Sequence, residues 1–238
     1  MQYGGYGYGF FWFDRTYLLL FVGLAISLAA SARVKRVFRQ YDGITARCGM
    51  TGADVVRRIL SLYGIRGVTV RRIPKSQADH YDSHSKTVNL SSTVYASGSI
   101  SAIGMAAHEC GHIIQDAKGY ELFQIRSALL FLVNAGNVIS LPMVIVGLLM
   151  GGFSALMKTG IYLYSFSVLF HLLTLPVELN ASARAQKFLE ASGMLLEKEM
   201  KQVRQVLNAA ALIYIGSAAT ATFSLLFAML TRGGQNND

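Results

Sequence analysis

His108 and His112 stand four residues apart in "MAAHECGHIIQDAKG", residues 105–119, with Glu109 beside His108. On an α-helix that spacing leaves two side chains about 40° apart around the axis and one turn apart along it. Both imidazoles can then aim at one point. Two neutral imidazoles suit a zinc-type cation, and the adjacent glutamate is placed to take a proton from water, not to bind the metal. The chemistry this predicts is metal-assisted hydrolysis. Ala106 and Ala107 before the motif and Ile113 and Ile114 after it suit a buried helix, and Gly111 leaves room for a close approach.

A catalytic zinc takes three protein ligands and keeps one position open. No histidine follows in "IIQDAKGYE". Asp116, one turn past His112, is one candidate, although it also suits a helix-end cap or solvent. Glu178, in "TLPVELNASARAQKF", is the better placed. It follows an apolar run, where a carboxylate is costly and functional by default. Its competing role is as a first-turn glutamate of a helix beginning after Pro176. His80 and Tyr81 in "DHYD" are candidate oxyanion donors, or members of a polar loop. Arg184 is a candidate for a substrate carboxylate, or part of a solvated face. His171, Asn134 and Asn137 are expected to face neighbouring helices.

These residues need a scaffold, and the composition says which kind. Of 238 residues, 53% are hydrophobic and 15% charged, against about 25% charged in a soluble domain. Apolar stretches long enough to cross a hydrocarbon core of ~30 Å cover 16–32, 127–150, 153–177 and 209–230. Between them lie a polar region (33–126) carrying the motif and a second polar segment (178–208) carrying Glu178, and at the ends stand an exoplasmic tail (1–15) and a C-terminal tail (231–238). The net charge of +9 is distributed as a topology signal and not as a nucleic-acid surface. Of the 22 Lys and Arg, 14 fall in 33–126 and five in 178–208. Cations beside spanning helices stay inside, so both polar segments are expected in the cytoplasm, with the two termini outside a multi-pass plasma-membrane protein. "AASA" at 29–32 resembles a signal-peptidase site. Cleavage would require Arg33, Lys35, Arg36 and Arg39 to cross, which favours an uncleaved anchor. Cys48 and Cys110 then remain thiols in a reducing compartment.

Within 33–126, "TGADVVRRILSLYG" (51–64) reads as a short amphipathic helix with Thr51 as N-cap and Asp54 three residues on. "GVTVRRIP" (67–74) is a strand. Residues 75–85 form a polar turn region. A second strand over 86–91, antiparallel to the first, offers Lys86, Thr87, Val88, Asn89 and Leu90 as an edge for a substrate backbone. The motif helix spans about 99–117.

The motifs "TGADVVRRIL", "DHYD", "TVNLS", "AAHECGHIIQDAKGY", "LTLPVELNASARA" and "VLNAAALIY" occur in one order along nearly the whole chain. In this the sequence resembles the YugP-type membrane zinc metallopeptidases, whose motifs are similar to those of the HtpX and CAAX-prenyl-protease gluzincins. The resemblance implies a Zn2+ held by His108, His112 and Glu178, with Glu109 as general base. In the HtpX type the third-ligand helix reads Glu-x-x-Ala-Asp, and here Ser182 stands at the Asp position, a neutral hydrogen-bond partner for a ligand histidine. The expected molecule is a mainly α integral membrane protein, four transmembrane helices with a small α+β gluzincin-like cytoplasmic domain. It would sit in a lipid bilayer and hydrolyse unfolded or membrane-associated polypeptides at the cytoplasmic face, with no nucleic acid involved. Whether it takes a membrane-protein partner or forms a homo-oligomer is open. The rival readings are a non-proteolytic zinc-binding scaffold or sensor, and a bundle without metal. Retention of Glu109, which zinc binding does not need, counts against the first, and the order of motifs counts against the second.

Overall fold

The computed structural model describes residues 17–149 and 155–233, so the two extreme tails fall outside the described residues apart from 231–233. Four long helices dominate: α1 (Tyr17–Asp42), α5 (Glu121–Leu149), α6 (Ala155–Ser192) and α7 (Glu197–Gly233). Between α1 and α5 lie α2 (Gly52–Leu62), β1 (Thr69–Ile73), β2 (His80–Asp82), β3 (Thr87–Ser91), α3 (Ser92–Tyr95) and α4 (Ile100–Ala117). Each long helix contains a segment long and apolar enough to cross a membrane: Tyr17–Asp42, Glu121–Val144, Lys158–Ser192 and Glu197–Leu230. Their outer faces carry Leu28, Phe131, Val138 and Leu169, all well exposed. Large apolar side chains on that scale mark a surface meant for something other than water.

α6 and α7 are longer than the hydropathy suggests. The helix carrying Glu178 does not begin after Pro176; α6 runs unbroken through that residue. A proline interior to a helix removes one hydrogen bond and costs about 3 kcal/mol in an exposed helix. Here the segment after it is buried against α4, with Val177, Ala181, Ala185 and Leu189 inaccessible to solvent, and that packing holds the helix together.

α2 begins as its sequence predicts. Thr51 and Asp54 form a reciprocal capping box, which satisfies two of the helix's free N–H groups. Val55, Val56 and Ile59 are fully buried, a burial of about 2 kcal/mol for each side chain. α4 lies at the centre, packed between α2, α6 and α7, and is buried almost along its whole length.

The sheet differs from expectation in order and direction. Its order is β1-β3-β2, with β3 parallel to β1 and antiparallel to β2. The region read as a turn contains β2, and Lys86 to Leu90 are not an edge. Thr87, Val88 and Asn89 pair on both sides, Leu90 belongs to the same central strand, and Lys86 sits at positive φ in the turn before it. The reason is the turn itself. Asp82 accepts bonds from the His84 backbone and the Ser85 hydroxyl, closing a tight hairpin that folds β3 back against β2. Among the described residues both β1 and β2 are edges of the sheet, and β2 is the one that contacts α4.

Candidate active site

α4 and α6 cross where Gly111 meets Ala181. A Cβ built on Gly111 would lie 2.4 Å from the Ala181 carbonyl oxygen and 2.9 Å from its Cα, so only glycine permits this approach. The approach brings His108 and His112 of α4 to Glu178 and Ser182 of α6. Glu178 Oε2 lies 3.0 Å from His108 Nε2 and 3.5 Å from His112 Nε2. One ligand atom from each of the three residues falls within a 4.8 Å span, and all three residues are buried. Ligands about 2.05 Å from a tetrahedral zinc stand ~3.3 Å from one another. The two Nε2–Oε2 separations bracket that value.

The far side of each imidazole is also held. His112 Nδ1 is 2.9 Å from Gln115 Oε1. The Gln115 amide nitrogen donates to the Val177 carbonyl at 2.8 Å and to Asn180 Oδ1 at 3.0 Å. Because both amide hydrogens are used, Gln115 must present its oxygen to His112, whose proton therefore sits on Nδ1. That leaves the Nε2 lone pair facing Glu178. His108 Nδ1 lies 3.1 Å from the Ser182 hydroxyl, which can accept its proton whenever Nε2 serves as a ligand. Partners of this kind fix ring orientation and tautomer. Phe123 stacks on His112 at 5.7 Å between centroids, closing the remaining face.

Glu178 Oε1 turns away from the histidines toward Arg126 Nη2, 3.0 Å away. The contact is an ion pair whose angles fall short of a hydrogen bond, and among the described residues neither Oε1 nor Arg126 Nε has a hydrogen-bond partner. Glu109 is buried with its Oε2 unpartnered. Burial, partly offset by His108, raises its carboxyl to about 7. Tyr214 of α7 lies within electrostatic reach of Glu178, Glu109 and Arg126.

Several other candidates are occupied elsewhere. Asp116 is not at the histidines; it accepts from the Tyr81 hydroxyl at 2.7 Å and from Lys86 Nζ at 2.6 Å. That double contact ties the hairpin to α4. It also engages the Tyr81 hydroxyl, whose proton is held more tightly by burial and by Asp116. His80 has Nδ1 on the Ala78 carbonyl at 3.0 Å and Nε2 on the Asn89 amide at 3.1 Å. These partners suit the tautomer in which Nδ1 donates and Nε2 accepts. Arg184 donates to Asn180 Oδ1 at 2.7 Å and covers the Tyr120 ring, supporting the Gln115–Asn180 pair. His171 bonds to the Ser167 carbonyl of its own helix.

Sequence reasoning missed Gln115, Asn180 and Arg126. Gln115 was within reach: positions 108, 112 and 115 repeat the spacing of one helix face. Arg126 carried no local signal, because it meets Glu178 only through the pairing of α5 with α6.

Gly111→Ala should disrupt this site. The new methyl group must push the α6 backbone back, and overpacking of this sort costs about 1–3 kcal/mol. Moving α6 also carries Glu178 away from both histidines. We expect zinc affinity, measured against a competing chelator, to fall at least tenfold. Gly104→Ala is the control, since its Cβ would meet Val203 Cγ1 at an ordinary 3.5 Å. Equal affinities in the two variants would refute the close-approach argument.

A family model described as "Putative neutral zinc metallopeptidase" matches residues 16–232. A protein of Bacillus subtilis (strain 168) named "Putative membrane protease YugP" is 37% identical over 221 residues, covering 92% of this chain and 98% of its own. No solved structure is significantly similar to the chain.

Proposed function

Because the chain belongs to this neutral zinc metallopeptidase family, we propose that it is a membrane-embedded, zinc-dependent endopeptidase of the HExxH gluzincin type. In this reading it cleaves unfolded or membrane-associated polypeptides at the cytoplasmic face of the plasma membrane. The observation that carries the reading is the convergence of His108, His112 and Glu178 on one buried point, next to a glutamate with a free oxygen.

His108 Nε2, His112 Nε2 and Glu178 Oε2 would hold the metal. Bound there, zinc supplies a Lewis acid that acidifies water and polarises a carbonyl. Glu109 takes the proton of the attacking water and returns it to the leaving amine. Burial suits it to both tasks, since a group titrating near neutrality gives and accepts protons with little cost. Arg126 holds Glu178 in place through Oε1. β2, the edge strand beside α4, offers backbone donors and acceptors to a substrate strand.

The four apolar helices support membrane insertion, and the Lys and Arg of 33–126 and 178–208 support a cytoplasmic site with both termini outside. Chelation tests the activity. Protein purified in lipid nanodiscs should cleave denatured casein, lose that activity when 1,10-phenanthroline strips its zinc, and regain it when zinc is returned. Cleavage that continues in metal-free protein would overturn the reading.

A further inference from the structure

A cavity of about 460 Å³ adjoins the site and has two unlike walls. One is the hairpin, residues His80 to His84. Among the described residues no strand pairs with the outer side of β2, so its backbone groups are open to an incoming extended chain. The other wall is α5, from Phe123 and Arg126 to Leu130, Phe131 and Asn134. This wall starts at the site, because Arg126 touches Glu178, and runs into a segment long and apolar enough to cross a membrane.

The far end of that wall faces outward. Phe131 is 80% exposed and Leu130 42%, and Asn134 is exposed beside them. An amide on the outer face of an apolar helix is costly against hydrocarbon unless something polar meets it. A polypeptide backbone leaving the apolar layer supplies such a group, whereas a lipid chain does not. Arg126 and Asn134 are eight residues apart, about 12 Å along a helix. An extended strand covers that distance in about four residues.

We propose that this groove takes a substrate segment continuous with a membrane-spanning helix. The helix lies along Leu130, Phe131 and Asn134, and the chain emerging from it pairs with β2. The scissile bond then falls within about four residues of the point where the substrate leaves the apolar layer. This rests on the peptidase reading above and names its preferred substrate class: juxtamembrane segments of membrane proteins, captured and cut in preference to free soluble chains such as denatured casein.

The test uses the full chain in nanodiscs and a synthetic polypeptide with one leucine-rich 20-residue helix (about the length that spans a bilayer) joined to an unstructured tail. Zinc-loaded Glu109→Gln protein carries a benzophenone amino acid at Phe131 or at Ser83. We expect position 131 to crosslink to the substrate helix and position 83 to the first tail residues, with the helix-free tail captured at least tenfold less. Wild type should cut the anchored tail within about four residues of the helix. Equal capture of free and anchored tails, or crosslinks from position 131 to lipid alone, would overturn the proposal. So would cuts scattered along the tail, which leave the peptidase reading standing. The expected crosslinks without any cleavage by wild type would support the docking geometry and overturn the peptidase reading instead.

Discussion

Replacing Glu109 by glutamine is expected to abolish peptide hydrolysis and, in metal-free protein, to raise stability above neutral pH. The first effect follows from chemistry. Glutamine fills the same space but accepts no proton from water, and loss of a positioned acid–base group typically costs 10²–10⁴-fold in rate. A fall of about 10³-fold with zinc content unchanged is the expected result. Loss of zinc alongside activity would instead mean that Glu109 helps hold the metal.

The second effect follows from burial. In the folded protein the Glu109 carboxyl titrates at about 7, against 4.5 for the ordinary group. Between those values the folded state keeps a proton that the unfolded chain has lost. Stability from this group is therefore complete below about pH 4.5, declines as pH rises toward 7 and stays lost above it. The difference corresponds to roughly 3 kcal/mol. Glutamine never ionises, so Glu109→Gln removes the decline. Thermal unfolding of metal-free wild type and variant at pH 5 and pH 8 would show it: closely similar midpoints at the lower pH, and a higher midpoint for the variant at pH 8. Curves that stay parallel across this range would refute the buried, uncompensated carboxylate. A bound cation beside Glu109 favours its ionised form, so zinc should narrow the difference between the two proteins.

Glu178→Ala is expected to release the metal. It removes one of three ligand atoms, and it also strands Arg126, whose ion pair at 3.0 Å is with Glu178. A half-buried guanidinium without its carboxylate then lies beside the metal position and repels a cation. Both effects act in the same direction, and zinc affinity should fall by 10³-fold or more, read by competition with a chelator. Asp116→Ala is the informative comparison. Asp116 lies one turn beyond His112 but serves Tyr81 and Lys86, so its loss should loosen the hairpin and spare the metal. Easier release of zinc from Asp116→Ala than from Glu178→Ala would exchange the two assignments.

The residues bearing on these experiments differ in how they could be found. His108, Glu109 and His112 are legible because helical periodicity is local: four residues of chain suffice to put two side chains on one face. The apolar lengths of the long helices and the capping box at Thr51 are local in the same sense. Glu178 was legible at longer range for an energetic reason, a carboxylate set against an apolar run. β2 was not legible. Three residues, His80 to Asp82, are too few to show alternation, and they become a strand only because β3 is folded back beside them. With β2 unseen, β3 reads as an edge although it is the centre of the sheet, and the edge facing the site reads as a loop.

What this sequence determined by itself was the inventory of donors, the helical frame that aligns two of them, and the hydrophobicity that calls for a bilayer. What the tertiary structure decided was the partner of each polar group. The Tyr81 hydroxyl and the His80 ring are consumed by Asp116, Ala78 and Asn89, while Gln115 and Arg126 are directed to His112 and Glu178. A buried hydrogen-bonding group must be satisfied by whatever is close in space. Closeness between residues 126 and 178 is set by the pairing of α5 with α6, and closeness between the two histidines and Glu178 by a glycine at 111 that lets α4 and α6 touch.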